Sequence, residues 1–239
     1  MADIIIMSPT ATKKDLNRVI KKVKSYGFDI NLSKGAEKTI IGLIGDTREV
    51  PDEVFKILPG VSNVISILKD YKLASREFSS AGTIIKAGDI EIGGDNFTII
   101  AGPCSVESEQ QLLKTAESIK KSGAKILRGG AFKPRTSPYS FDGLGFEELQ
   151  LLMKAKKKYN IPIITEVLSP DEVEGVAEVA DILQIGTRNM FNYRLLQKVG
   201  KIKKPVLLKR SFSATITEFL NCTEYILKGG NTQVILCER

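Results

Sequence analysis

Residues 161–210 read IPIITEVLSPDEVEGVAEVADILQIGTRNMFNYRLLQKVGKIKKPVLLKR. Three apolar runs stand in this stretch, at 161–167, 181–185 and 205–210, and two amphipathic stretches, near 170–179 and 190–199, separate them. Short runs that are apolar almost throughout are the pattern of strands buried on both faces, and helices between them supply the cover for a parallel sheet. The same unit recurs outward in both directions. Strand-like runs fall at 97–101 (FTIIA) and 124–128 (AKILR) before the stretch, and at 232–237 (TQVILC) after it. Helical patterns lie near 107–122, 145–159 and 214–228. Six β-α steps without a Gly-rich nucleotide-binding fingerprint predict a (β/α)8 barrel of TIM type over residues 97–239, with about six of its eight strands present.

The first 70 residues follow a different order. An apolar run (Ile4, Ile5, Ile6, Met7) leads through Ser8-Pro9-Thr10 into a helix with Leu16, Val19, Ile20 and Val23 on one face. Two short strands, near 28–33 and 37–45, turn about Ser33-Lys34-Gly35; a short helix over about 51–58 and the run from Val61 to Leu68 follow. The order β-α-β-β-α-β predicts a small ferredoxin-like α+β domain over 1–70. Residues 71–96 are expected to be a linker carrying a β-hairpin, with Thr83-Ile84-Ile85 and Ile90-Glu91-Ile92 as its arms.

Composition excludes several classes. With 42% hydrophobic and 26% charged residues the chain is globular rather than disordered. No apolar run approaches the ~18–20 residues that span a bilayer. Met1-Ala2-Asp3 carries no basic segment or cleavage site, so no signal peptide is expected. Three irregularly spaced cysteines form no disulfide framework, which suits a reducing cytoplasm. The net charge of +7 invites anions. Much of the excess lies on helix surfaces, as at Lys154, Lys156, Lys157 and Lys158, and no aromatic residues interleave with it as a nucleic-acid groove requires. Neither a nucleic acid nor a membrane is expected as a partner.

In a barrel of this kind the reactive face is the C-terminal end of the strands. Those ends carry Cys104, Arg128, Glu166, Arg188, Lys209 with Arg210, and Glu238 with Arg239, and Lys133 and Arg135 lie in the loop after the second strand. A cation at a strand end inside a barrel is costly to desolvate unless an anion meets it. Some of these cations could simply pair with Glu166, Glu238 or Asp181. The set outnumbers those acids, however, and points to a site for small polyanions carrying more than one phosphate.

Three stretches carry a resemblance. AGPCS at 101–105, LRGGAFKPRTSP at 127–138 and QIGTRNM at 184–190 are similar to the 3-deoxy-D-arabino-heptulosonate 7-phosphate (DAHP) synthases of the short microbial type. The N-terminal unit resembles the regulatory domain that some members carry. AGPCS is shared with the related octulosonate 8-phosphate synthases; the KPRTSP run is the more specific signal. The resemblance implies condensation of phosphoenolpyruvate with D-erythrose 4-phosphate, the first step of aromatic amino acid biosynthesis. It assigns Arg128, Lys133, Arg188, Lys209 and Arg239 to phosphoenolpyruvate, and Lys133, Arg135 and Thr136 to erythrose 4-phosphate. Cys104 would be one ligand of a divalent metal ion such as Mn, Fe or Zn, and Glu166 would place a water or orient Lys133. An aromatic amino acid effector and a homo-oligomer are also implied. Ser211, where the family usually has Gly, and Phe191, where Gln is common, are departures that remove no charge.

The resemblance further implies that the chain corresponds to the N-terminal two-thirds of such an enzyme. The family's remaining metal ligands, a His among them, are not found, since the sequence contains no His. The 239-residue chain is therefore expected to be inactive by itself. Two alternatives stay open: an octulosonate 8-phosphate synthase, and a non-catalytic protein that senses an amino acid.

Overall fold

A computed structural model of the chain describes residues 3–238 apart from 36–37, 48–49, 66–70, 80–81, 134–136, 138, 140–142 and 144. The chain divides into two units, residues 1–82 and 83–239.

In the first unit β1 (Ile4–Met7) is followed by α1 (Lys13–Ser25), β2 (Asp29–Lys34), β3 (Thr39–Ile44), α2 (Glu53–Lys56) and β4 (Val61–Ile65). The sheet has the order β2-β3-β1-β4 with every pairing antiparallel, which is the ferredoxin-like arrangement. α1 starts where the Thr12 hydroxyl accepts from the Asp15 amide and the Asp15 carboxylate accepts from the Thr12 amide. A cap of this kind contributes about 1 kcal/mol. Its apolar stripe buries Val19 and Val23 against Ile5, Met7, Ile41 and Leu43 of the sheet. On Gly42 of β3 the Phe78 ring lies so close that an added Cβ would fall 2.6 Å from it, so part of the expected linker lines this sheet.

In the second unit six strands form one parallel sheet in sequence order: β7 (Ile100–Ala101), β8 (Ile126–Arg128), β9 (Ile163–Glu166), β10 (Ile182–Ile185), β11 (Val206–Lys209) and β12 (Val234–Cys237). Helices α3 (Glu109–Lys121), α4 (Phe146–Tyr159), α5 (Val173–Val179), α6 (Tyr193–Val199) and α7 (Ile216–Lys228) fill the crossovers. The strands are shorter than the apolar runs because several flanking residues act as connections. Residues 97–99, for example, precede the ladder, and Phe97 is 91% exposed. The expected helix near 170–179 begins as a 3-10 turn, Pro170–Glu172, because Pro170 fits the first position of a helix.

Because side chains alternate along a strand, each strand has two addresses. Leu127, Ile163, Leu183, Ile185, Val206 and Leu208 face outward and pack with Leu149, Leu152, Val176, Leu196, Phe219 and other helix residues in the main core. Ile126, Ile164, Ile182 and Leu207 face the other way and cluster with Ala87, Ile90 and Ile92. The latter three belong to the hairpin β5 (Ile85–Ala87) and β6 (Ile90–Ile92). Burying each such aliphatic side chain is worth about 1.5–3 kcal/mol. The hairpin thus closes the N-terminal end of the sheet's inner face with apolar side chains. Two residues further along the same strands the inner face changes character: the side chains are Arg128, Glu166, Gln184 and Lys209. The register Gln184↔Glu166 sets these two side chains level on neighbouring strands, while Arg128 is level with Ile164, one inward-facing position before Glu166.

Candidate active site

The C-terminal end of the inner face is assembled by backbone contacts that leave no room for side chains. Gly102, at the end of β7, has φ +145°, and a Cβ there would lie 1.9 Å from the Arg128 carbonyl oxygen. The Arg128 guanidinium in turn donates to the Pro103 carbonyl at 3.1 Å. The loop after β7 is therefore fastened to the end of β8, and it presents Cys104 there. The loop after β8 is held from outside the sheet: the Ala131 amide donates to the Thr165 hydroxyl at 3.3 Å, and the Val106 amide to the Gly130 carbonyl at 3.3 Å. These bonds carry Lys133 back over the site. Its ammonium donates to the Cys104 sulfur at 3.3 Å while the residue stays only 7% exposed.

Glu166 is the acid at the centre. It is 8% exposed, and Gln184 on β10 donates to its Oε2 at 3.1 Å. Its other oxygen lies against Gly186, where an added Cβ would fall 1.9 Å away. Burial pushes the Glu166 carboxyl above the usual carboxylate range; the charges of Lys133, Arg128 and Lys209 and the Gln184 hydrogen bond pull it back without cancelling that effect. Three cations therefore act on one buried carboxylate.

Cys104 is affected by the same cations. Burial raises its thiol, but hydrogen bonds from Lys133 and Arg128, together with their charges, outweigh burial and hold the thiol below its ordinary range. Cys222, buried under α7, is pushed up to about 11 instead. At about pH 7.5 Cys104 is thus expected to react with iodoacetamide well ahead of Cys222, because the thiolate is the nucleophile. Peptide mapping after timed alkylation checks this, and a Cys104 rate no higher than that of free cysteine would contradict it.

Of the residues singled out by sequence, Arg128, Lys133, Lys209, Glu166 and Cys104 come together. Arg188 stands exposed on a one-turn 3-10 helix, Thr187–Asn189, after β10. Arg135, Thr136 and Arg239 lie outside the described residues. Arg210 meets Glu238 in a two-pronged ion pair, with Nε–Oε2 at 2.7 Å and Nη2–Oε1 at 2.8 Å, so it is already matched by an acid. Asp181 answers Lys156 at 2.8 Å and accepts from the Ile163 amide at 2.8 Å, a structural role between α4 and β9. The departures Ser211 and Phe191 put no charge into the site; the Ser211 amide donates to the Met190 sulfur, and Phe191 is half-exposed. Gln184 and Gly186 escaped the sequence reading as site residues. Their signal was positional: Gln184 falls on the inner face level with Glu166.

Among the described residues no three His, Cys, Asp or Glu side chains gather as a metal site. Cys104, with the Lys133 and Arg128 cations beside it, does not by itself fit a divalent ion.

Comparison with known proteins agrees with this architecture. The family model described as DAHP synthetase I family matches residues 73–239, and that described as DAHP synthase ferredoxin-like domain matches residues 4–69. Phospho-2-dehydro-3-deoxyheptonate aldolase of Thermotoga maritima is 52% identical over 236 residues, covering 99% of this chain and 70% of that protein. Its crystal structure, titled a DAHP synthase, superposes with a TM-score of 0.71 at 51% identity, covering 99% of this chain and 69% of that one. A 2-dehydro-3-deoxyphosphooctonate aldolase of Francisella tularensis is 34% identical over 163 residues, which is 65% of this chain and 59% of that protein. With both units matched in order, the chain belongs to the DAHP synthetase I family.

Proposed function

We propose that this chain carries the phosphoenolpyruvate-binding face of a DAHP synthase, which condenses phosphoenolpyruvate with D-erythrose 4-phosphate to give DAHP and phosphate. The observation that carries the reading is the convergence of Arg128, Lys133 and Lys209 on one buried carboxylate, Glu166, at the C-terminal end of a parallel sheet. Family membership supplies the reaction, and the surplus of positive charge suits its reactants. Phosphoenolpyruvate brings a phosphate and a carboxylate, and the sugar a second phosphate. Brought together in water these anions repel, while fixed cations in a partly desolvated site offset that repulsion before reaction begins.

In this reading Arg128 and Lys209 hold phosphoenolpyruvate from the inner face of the sheet. Lys133, buried beside Cys104, lies between the two substrates and orients both. Arg188 guards the rim, and Arg135, Thr136 and Arg239 belong to the same substrate set. Glu166 orders the cations and the water that adds to the enolpyruvyl carbon. An aromatic amino acid effector at the ferredoxin-like unit, a homo-oligomer and a cytoplasmic setting are part of the proposal; a divalent metal with Cys104 as one ligand would need further ligands that the described residues do not bring together. No helix among the described residues is long and apolar enough to cross a membrane.

The octulosonate reaction is less favoured, because that relative shares 34% identity over 65% of the chain against 52% over 99% for the heptonate enzyme. Any release of inorganic phosphate from phosphoenolpyruvate, measured in the catalytically competent protein with Mn²⁺ or Zn²⁺ supplied, is expected to depend on erythrose 4-phosphate. Dependence on arabinose 5-phosphate instead would assign the octulosonate reaction. Phosphoenolpyruvate binding without consumption of either sugar would bear out the expectation that the 239 residues are inactive alone, and binding of Tyr or Phe with no turnover would favour a sensing role.

A further inference from the structure

We propose that Glu166 stores a proton for the site: it takes up one proton from solvent as the phosphate and carboxylate of phosphoenolpyruvate occupy Arg128, Lys133 and Lys209, and Gln184 is the positioning residue that keeps its carboxylate in place. This rests on the reading of the site as the phosphoenolpyruvate face.

The geometry leaves Glu166 little freedom. It rises from the inner face of β9 with 8% of its surface exposed, so water does not solvate its charge well. Gln184, level with it on β10, donates to Oε2 at 3.1 Å. Oε1 is stopped by the Gly186 backbone, a position where any side chain would collide with it. A carboxylate hydrogen-bonded by Gln184 on one side and crowded by Gly186 on the other has little room to follow the cations when they turn to another anion, so its ionised form depends on the field they produce.

That field has three sources on separate elements: Arg128 on β8, Lys133 in the loop after it, and Lys209 on β11. Cys104, on the loop after β7, competes for the same Lys133 ammonium and adds no positive charge. In the free protein the three cations oppose the desolvation of Glu166. A bound phosphate and carboxylate cancel most of their charge and displace the remaining water. Both changes act in one direction: they disfavour the charged form of Glu166, and the proton affinity of the carboxyl rises. By linkage, ligand binding is then accompanied by proton uptake, and binding strengthens as pH falls through the range where Glu166 titrates in the complex. Gln184 acts with the opposite sign in the free protein, because its N–H favours the ionised carboxylate.

Isothermal titration of the chain with phosphoenolpyruvate alone, in buffers of different ionisation enthalpy, counts the protons exchanged. Over buffers spanning about pH 5–8 the unaltered protein is expected to take up more protons per bound phosphoenolpyruvate, by up to one at the maximum, than Glu166→Gln, which cancels the contribution of the ligand's own phosphate. Equal proton counts in the two proteins, with binding intact, would overturn the inference and leave the functional reading standing. No binding of phosphoenolpyruvate to the unaltered protein would defeat both. Gln184→Leu provides an independent arm: without the amide hydrogen bond the carboxyl holds its proton more tightly, so the maximum of proton uptake moves to higher pH. An unchanged profile in Gln184→Leu would remove Gln184 from the device.

Discussion

In the catalytically competent protein, replacing Lys133 by methionine is expected to lower kcat/KM for phosphoenolpyruvate by roughly 10²–10³-fold, the usual scale for deleting one fixed charge that meets the transition state. Lys133 is 7% exposed, and its ammonium donates to the Cys104 sulfur at 3.3 Å while its charge acts on Glu166. Methionine keeps much of the stem's apolar volume, so packing in the loop after β8 is largely spared and the loss falls on the charge. The effect should be carried by kcat more than by KM if Lys133 orients the reacting pair, because Arg128 and Lys209 remain to bind the anion. Two readouts separate this from simple damage. The Cys104 thiol should lose its largest downward influence, so alkylation near neutral pH slows. Far-UV circular dichroism should be unchanged. A variant that keeps activity within a few-fold of the unaltered protein would take Lys133 out of the reaction.

How far the site was legible in the sequence follows from where its signals lie. Arg128, Glu166 and Lys209 were visible because a charge ending an apolar run is conspicuous, and the parallel-sheet pattern says which end of the strand matters. Their separation from Arg210 was not visible. Lys209 and Arg210 are adjacent, and only the two-residue period of a strand decides that one faces inward while the other turns to Glu238. Lys133 lies in an irregular loop with no periodicity; its place after the second strand put it among the candidate cations, and the resemblance gave it a role. Gln184 carries no charge and sits inside QIGTRN without any feature that marks it. Its meaning depends on a register, Gln184↔Glu166, that sequence patterns do not fix.

The fold follows the same division. The order of elements was legible throughout, since hydrophobic period distinguishes the strands from α3, α4 and α7 over more than two turns each. Residues 170–172 and 187–189 are 3-10 turns at the edges of stretches expected to be helical, where a few residues carry no period to read. The hairpin β5–β6 was expected in the linker; its second arm matches, while the first runs Ile85–Ala87 rather than 83–85. That it plugs the inner face of the sheet through Ala87, Ile90 and Ile92 came from packing between segments far apart in the chain. Such pairing is what a local pattern cannot contain.

Gly102→Ala is expected to be among the most destabilising single changes in the second unit, costing on the order of 4 kcal/mol. Two independent penalties coincide at this position. The backbone φ of +145° is one that residues with a Cβ rarely adopt. The added carbon would also sit 1.9 Å from the Arg128 carbonyl oxygen, 2.9 Å from its carbon and 3.0 Å from its nitrogen. Those atoms are backbone, and they belong to a residue whose strand is paired on both sides, so they cannot yield as a flexible side chain would. Relief must come from β7, whose ladder to β8 consists of Ile100↔Ile126 and Ala101↔Leu127. Breaking that short edge pairing would withdraw Cys104 and Pro103 from the end of β8 and leave the Arg128 guanidinium without its carbonyl partner. Thermal unfolding should show the melting temperature of this unit falling by on the order of 10 °C, with the ferredoxin-like unit unaffected if it melts separately. Gly186→Ala is the informative contrast. There the obstacle is the Glu166 carboxylate, the end of a rotatable side chain, so the protein should stay folded while the site loses its acid geometry. If Gly102→Ala melts like the unaltered protein, the close approach of β7 to Arg128 is not a feature of the folded chain, and the placement of Cys104 beside Lys133 loses its structural basis.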